Sequence, residues 1–301
     1  MKTVLVTGVD GFTGRYLAPL LAAAGHEVHG LVQHRSAVAG TSHLHVANLT
    51  DPAAVDNVVR AVAPRAVVHL AGIAFVANRD AKLMYGVNLL GTRNLLEALA
   101  AAATAPEAVL LASSANVYGN ATEGVLDETV APAPANDYAV SKLAMEYVAR
   151  LYAKRLPLIV CRPFNYTGVG QSESFLLPKI VAHVRRQALH IELGNLDVAR
   201  DFSDVRDVAS AYARLLATPA AIGQTLNVCS GAAYALREIL ALAEGISGRR
   251  MDVRVNPELV RANEVKMLRG NRGRLDALLP GSSAPIPLAE TLRWMIDAPS
   301  A

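Results

Sequence analysis

Cysteine is almost absent from this 301-residue chain: Cys161 and Cys229 are its only two, far apart and each in an apolar, strand-like run. So sparse a set excludes a disulfide framework, offers no cysteine ligation of zinc and fits a reducing compartment. Charge is scarce too, at 18% of residues against 52% hydrophobic, so a sizeable buried core is expected and disorder is not. The net charge is only +3, with basic residues scattered rather than blocked, which gives no footprint for nucleic acid. No apolar run reaches the roughly 18 residues needed to cross a bilayer. Met1 leads directly into a strand pattern with no leader-like segment. The expectation is a cytoplasmic protein with no membrane, metal or nucleic-acid partner. Internal repeats and linkers rich in Gly, Ser or Pro are also missing, so the length reads as one large or two closely joined domains.

What the sequence has is alternation. Short β-branched runs at 2–7, 27–32, 66–70, 108–113 and 157–162 read as strands. Between them, 12–24, 52–62, 84–103 and 138–154 carry apolar residues at spacings of three and four and read as helices. Such alternation predicts an α/β fold, a doubly wound parallel sheet with helices on both faces, because each crossover must return over the sheet. Pro19 falls inside the first helix and predicts a bend. The alanine tract 98–103 reads as a helix end. Beyond about residue 165 the pattern loosens into helices at 178–187, 236–244 and 288–296 and a strand at 225–230, which predicts a smaller C-terminal lobe.

The first strand runs into Gly8-Val9-Asp10-Gly11-Phe12-Thr13-Gly14 and then a helix. Glycines there permit a tight turn, close backbone approach to a pyrophosphate and close helix–strand packing, while the helix N-terminus offers free N–H groups to the anion. Dinucleotide binding by Gly8, Gly11, Phe12 and Gly14 is expected. An acid at the end of the second strand would take ribose hydroxyls, and a basic residue would favour a 2′-phosphate. The chain reads Gln33-His34-Arg35-Ser36 with no acid, so NADP(H) is favoured over NAD(H).

Tyr138 and Lys142 stand four residues apart on a predicted helix, so phenol and ammonium share a face. A nearby cation lowers a phenol's pKa and makes it a usable proton donor near neutrality. Upstream, Ser113-Ser114-Ala115-Asn116-Val117-Tyr118-Gly119 follows an apolar strand. With the G-x-x-G-x-x-G spacing, these segments resemble the extended short-chain dehydrogenases/reductases across essentially the whole chain. The resemblance implies a Rossmann domain with Tyr138 as proton donor, Lys142 as its tuner and ribose ligand, and Ser114 orienting a substrate carbonyl. It places Asn48 and Leu49 at the adenine, the turn of Leu70, Ala71 and Gly72 after His69 beside the cofactor, and Asn88 on the neighbouring helix. It also implies a dinucleotide-binding domain of residues 1–165 and 200–230 and a nucleotide-sugar lobe of 166–199 and 231–301.

The second half is similar to a branch of that family. Arg162-Pro163-Phe164-Asn165-Tyr166-Thr167-Gly168 matches a substrate-binding segment, with Asn165 implied at the pyrophosphate. Leu193 to Phe202 and Arg261-Ala262-Asn263-Glu264-Val265 resemble GDP-mannose 4,6-dehydratases and the related 4-keto sugar reductases. Substrate contacts are thereby implied at Asn116, Lys179, Asn195, Arg200, Arg261 and Glu264. The dehydratases carry a glutamate just after the catalytic hydroxyl, where this chain has Ala115-Asn116, and an amide cannot abstract a proton. The cysteine of sugar epimerase-reductases is missing at Ala115 as well. The resemblance then implies reduction of GDP-4-dehydro-6-deoxy-D-mannose to GDP-D-rhamnose. A nucleotide-sugar 4-epimerase or 4,6-dehydratase is the alternative. A non-catalytic NADP-sensing regulator is a further one, disfavoured by the intact Tyr138–Lys142 pair. A homodimer through a four-helix bundle of 84–103 and 138–154 is also implied, with Leu95, Leu99, Met145 and Val148 as apolar surplus.

Overall fold

The computed structural model describes residues 2–74, 80–120, 124–260 and 265–299. β1 (Thr3–Thr7) leads through the glycine loop into α1 (Phe12–Ala23), β2 (Glu27–Val32) and β3 (His43–Val46). Next come α2 (Pro52–Val62), β4 (Ala66–His69), α3 (Ala81–Tyr85), α4 (Thr92–Ala101), β5 (Ala108–Ala112), β6 (Gly124–Leu126), α5 (Asp137–Arg150) and β7 (Leu158–Pro163). The rest holds β8 (Asn165–Thr167), α6 (Leu176–Arg185), β9 (His190–Leu193), β10 (Ala199–Asp204), α7 (Val205–Leu216) and β11 (Thr225–Val228). It closes with β12 (Ala233–Ala235), α8 (Leu236–Ser247), β13 (Asp252–Val255), β14 (Met267–Gly270), α9 (Gly273–Leu278) and α10 (Leu288–Asp297).

A seven-stranded sheet runs in the order β11-β7-β5-β4-β1-β2-β3, and all its pairings are parallel. The strands are nearly continuous apolar runs because both faces are covered. Val4 and Val6 of β1 enter the core shared with α1 and α7, while Leu5 between them enters the core shared with α2, α4 and α5. Strand order reverses beside β1, and in open parallel sheets that crevice, at the carboxyl ends of the strands, is where ligands bind. A second group, β12-β10-β14-β6 with β8 against β10, and the pair β13–β9 lie apart from this sheet. There α6, α8 and α10 close a core around Ile180, Ile239 and Leu292. No helix among the described residues is long and apolar enough to cross a membrane.

The predicted helix at 84–103 is not one helix. It begins earlier, as α3, passes through a π-helical turn at Gly86–Gly91 and resumes as α4. The wider turn carries Asn88 fully into the interior. Gly91 permits it, because an added Cβ there would lie 2.9 Å from the Leu49 Cβ. Such π turns recur at functional sites. Leu95, Leu99 and Met145 are not surplus: they are fully buried in the chain's own core, with Val148 packed against them. The exposed apolar side chains on these helices are Leu83, Leu90, Val140, Tyr147 and Leu151 instead. Pro19 lies within α1 without ending it. Both cysteines are buried, unpaired thiols whose pKa burial drives far upward.

Beneath α5 lies a buried ion pair. Arg162 of β7 donates from Nε and Nη2 to the two Glu146 oxygens at 2.9 and 2.7 Å, and from Nη1 to the Tyr118 hydroxyl at 3.1 Å. Ser113 donates to Glu146 at 2.5 Å, and Tyr118 donates onward to Asn227 at 2.7 Å. The pair fixes the height and rotation of α5 over the sheet. Replacing one partner strands the other charge in the interior, a loss of about 3–5 kcal/mol. Arg162→Met or Glu146→Gln alone should therefore shift urea unfolding by that amount, and the double substitution Glu146→Leu with Arg162→Met by much less. Single-variant losses below about 1 kcal/mol would remove the pair from the list of fold determinants.

Candidate active site

The glycine loop meets its expected geometry. Gly8 has a φ of +66°, and an added Cβ would lie 2.8 Å from the backbone of Ala71, so the loop after β1 rests directly on the turn after β4. Gly14 lets α1 close on Val9, whose carbonyl oxygen would be 2.4 Å from a Cβ there. Gly11 caps α1 without a side-chain hydrogen bond, and no acid stands in the first turn. The first N–H groups of α1 and the positive end of its dipole are thus suited to an anion. Phe12 stacks on Tyr166 at 5.9 Å, and Thr13 and Tyr166 share a 2.8 Å hydrogen bond between their hydroxyls.

A chain of buried hydrogen bonds sets the turn of Leu70, Ala71 and Gly72. Thr92 Oγ1 donates to the Asn88 carbonyl at 2.7 Å, so it can only accept from His69 Nε2, 2.8 Å away. That leaves His69 Nδ1 as an acceptor for the Thr7 hydroxyl at 2.7 Å, and Thr7 Oγ1 accepts in turn from the Ala71 N–H at 3.2 Å. Every proton in this chain has one place to go. Burial, with the Lys142 charge adding to it, lowers the His69 pKa to about 3, so the imidazole stays neutral as the chain requires. Asn88 holds the far side, donating to the Ile73 carbonyl and the Ser141 hydroxyl and accepting from the Ile73 N–H at 2.8 Å.

Ser114, Tyr138 and Lys142 come together at the carboxyl end of β5. The Ser114 hydroxyl oxygen accepts from the Asn116 backbone N–H at 3.1 Å and the Asn116 amide at 3.0 Å. Its own proton is left to donate, and the Tyr138 phenol lies within hydrogen-bond reach. Lys142 donates to the Ala112 carbonyl at 2.8 Å, and an added Cβ on Gly72 would lie 3.2 Å from its Nζ. The expected lowering of the phenol by Lys142 does not occur. Burial pushes Tyr138 up to about 12, opposed by the Ser114 hydrogen bond, whereas Lys142 falls to about 8 through burial, opposed by Glu146. Desolvation, not the neighbouring ammonium, governs the phenol in this closed setting.

At the end of β2, Gln33, His34 and Arg35 are exposed, and Arg35 and Ser36 line a recess with Ala37 and Leu44. The Ser36 hydroxyl is buried without a hydrogen-bond partner. An orphaned donor beside a guanidinium suits the 2′-phosphate of NADP(H), and with the cradle at Gly8 and Gly14 the residues fit that cofactor. Asn48 is exposed, its Oδ1 accepting from Thr50 N at 3.0 Å, and Leu49 is buried under Gly91.

The expected substrate residues are less gathered. Asn165 donates to the Asp201 carbonyl at 3.1 Å, and Lys179 donates to the Glu192 carbonyl at 2.8 Å. Asn195 folds back on Asp197 N at 3.0 Å, and Arg200 bonds the Ala199 and Val265 carbonyls at 2.9 and 3.0 Å. Arg261 and Glu264 lie outside the described residues. The sequence reading gave no role to Thr7, His69, Thr92 or Glu146, whose polarity within apolar runs was the available signal. It also passed over Asp201, fully buried and accepting from Ser230 N and Oγ and from the Gly231 and Gly270 N–H groups.

Comparison with known proteins follows the same lines. The GDP-mannose 4,6 dehydratase family profile matches residues 5–280. A GDP-6-deoxy-D-mannose reductase of Pseudomonas aeruginosa is 38% identical, over 98% of this chain and 96% of its own. A GDP-6-deoxy-D-talose 4-dehydrogenase of Aggregatibacter actinomycetemcomitans is 34% identical, over 90% and 89%. Among solved structures, a Burkholderia cenocepacia protein named only provisionally, as an epimerase, has a TM-score of 0.93 at 54% identity, covering 98% of this chain and 97% of that one. RMD from Pseudomonas aeruginosa, complexed with NADPH, has a TM-score of 0.84 at 34% identity, covering 98% and 96%. This chain belongs to the GDP-mannose 4,6-dehydratase family of extended short-chain dehydrogenases/reductases.

Proposed function

We propose that the protein is an NADP(H)-dependent reductase of a GDP-linked 4-keto-6-deoxy sugar, with GDP-4-dehydro-6-deoxy-D-mannose as substrate and GDP-D-rhamnose as product. The observation that carries this reading is the residue pair after Ser114. Ala115 and Asn116 offer no carboxylate, and the Asn116 amide is engaged in holding the Ser114 oxygen. Such a site can polarise a carbonyl but has no base there for the elimination a dehydratase performs. The names of the GDP-6-deoxy-D-mannose reductase and GDP-6-deoxy-D-talose 4-dehydrogenase relatives support the substrate class, and the RMD complex with NADPH supports the cofactor.

The nicotinamide, when bound, supplies the hydride. Ser114 donates its free proton to the C4 oxygen and fixes the carbonyl's orientation. Tyr138, held fully protonated by burial, delivers its proton to the same oxygen as charge develops there. Lys142, with a pKa near 8, is a cation that can titrate close to neutrality and resupply the phenol. Residues 166–199 and 231–301 form the lobe that takes the GDP-sugar. Lys179, Asn195, Arg261 and Glu264 within it, with Asn165 and Arg200 at its border, meet the diphosphate and ribose.

Leu83 and Leu90 are seven residues apart, and Val140, Tyr147 and Leu151 follow at seven and four, on adjoining helices. Leu151 is 78% exposed. These apolar stripes are the face through which two copies pair as a four-helix bundle.

Tyr138→Phe should reduce turnover of the 4-keto sugar by about 10²–10⁴-fold with NADPH affinity nearly unchanged, as read by NADPH oxidation and by fluorescence titration. Turnover near that of the parent enzyme would take Tyr138 out of the mechanism. Arg200→Ala and Arg261→Ala should each raise KM for the sugar more than tenfold at unaltered NADPH affinity. Loss of NADPH binding instead would move these arginines to the cofactor. A protein that purifies with tightly bound NAD and interconverts C4 epimers without net NADPH oxidation would be an epimerase, and the reductase reading would fail. Light scattering at micromolar concentration should give twice the chain mass. Leu90→Glu with Leu151→Glu should give the monomer, and a parent protein that is already monomeric would refute the bundle.

A further inference from the structure

At the other end of the sheet the parallel register of β2 and β3 assembles a cluster that the proposed reaction does not use. His29 pairs with His43, and Leu31 with His45. Residues paired across a parallel ladder project to one face, and alternate residues of a strand share that face. Glu27, His29, His43 and His45 are therefore gathered side by side. The His29 and His43 rings are 4.7 Å apart, and those of His29 and His45 are stacked at 5.3 Å.

We propose that Glu27, His29 and His43 form a binding site for a divalent cation of the zinc class. Their ligand atoms all lie within 4.8 Å of one another. The Glu27 Oε1 is 3.4 Å from His29 Nε2 and 3.6 Å from His43 Nε2. A tetrahedral zinc ion, with ligands at about 2.0–2.1 Å, needs its donor atoms about 3.3 Å apart, so side-chain shifts of a few tenths of an ångström complete the set. His45 supplies the support such a site requires. Its Nε2 is 3.0 Å from His29 Nδ1, and when His29 donates that hydrogen bond its Nε2 presents a lone pair toward Glu27. Two imidazoles and one carboxylate without a thiolate favour Zn²⁺, Ni²⁺ or Cu²⁺ over Mg²⁺ or Ca²⁺, which prefer oxygen sets.

The site is open enough to load and remote enough to be structural. The His43 side chain is 58% exposed, so an ion can enter and keep a water as its fourth ligand. Glu27 and His29 stand in the first half of β2, whereas the dinucleotide loop and the Tyr138 site lie at the carboxyl ends of the strands. Among the described residues β3 is the last strand of the sheet, hydrogen-bonded on one side only. An ion here clips that edge strand to its neighbour.

The test uses the full chain without a polyhistidine tag, stripped with EDTA and dialysed, and titrated calorimetrically with ZnCl₂ and separately with MgCl₂. One equivalent of Zn²⁺ per chain should bind, Tm should rise to a plateau at the same stoichiometry, and Mg²⁺ should do neither. His43→Ala and Glu27→Gln, both at accessible side chains, should keep the Tm of the metal-free parent yet weaken Zn²⁺ binding at least tenfold. His45→Gln should weaken it by about 10–100-fold as the supporting residue. His190→Ala, an exposed histidine elsewhere, should bind as the parent does. Absence of Zn²⁺ binding would overturn the proposal. So would binding that His43→Ala and Glu27→Gln leave intact, or that His190→Ala weakens equally.

Discussion

The site depends on the close approach of two backbones, at Gly8 and Ala71. No side chain fits between them, and the left-handed φ of Gly8 turns the chain away just before contact. This single constraint joins the end of β1 to the end of β4 and defines the crevice where strand order reverses. The chain of hydrogen bonds through Thr7, His69 and Thr92 holds the approach from behind. It does so with neutral groups only, because a charged imidazole there would have neither solvent nor a counter-ion. The π turn that brings Asn88 inward and the position of Lys142 beside Gly72 both follow from where this turn sits.

The helix that carries Tyr138 and Lys142 is held differently. Glu146, one further turn along α5, is tied to Arg162 on the sheet and also raises the Lys142 pKa against burial. One carboxylate thus anchors the helix and sets how far the lysine is lowered. Asp201 does comparable work in the second group of strands, where its carboxylate gathers N–H groups from the ends of β11 and β14. Charges this deep are costly unless fully partnered, and in both places they are.

Much of this was legible in the sequence. The alternation of apolar runs gave the parallel sheet, because strands covered on both faces and helices with one apolar stripe differ in period. The glycine spacing, Ser114, Tyr138 and Lys142 were legible because each needs a particular residue type. Asn116 was read by its identity, as an amide that cannot act as a base, but its bond to Ser114 required coordinates. The π turn escaped because Gly86 and Gly91 sit in a pattern that a continuous helix would also satisfy. The phenol's upward shift escaped because sequence shows the neighbouring cation and not the loss of water. His29 and His43 are fourteen positions apart in no metal-binding spacing, and only strand register unites them. The short strands β6, β8, β12 and β14 are too brief to carry a period.

The aromatic row from Phe12 through Tyr16 to Trp294 ties the first turn of α1 to the last helix of the chain, and Gly168 lets the Trp294 ring close down on it. The glycine loop is therefore braced by a helix of the second core, and the stiffness of the turn that faces the anion depends on packing set outside the large sheet.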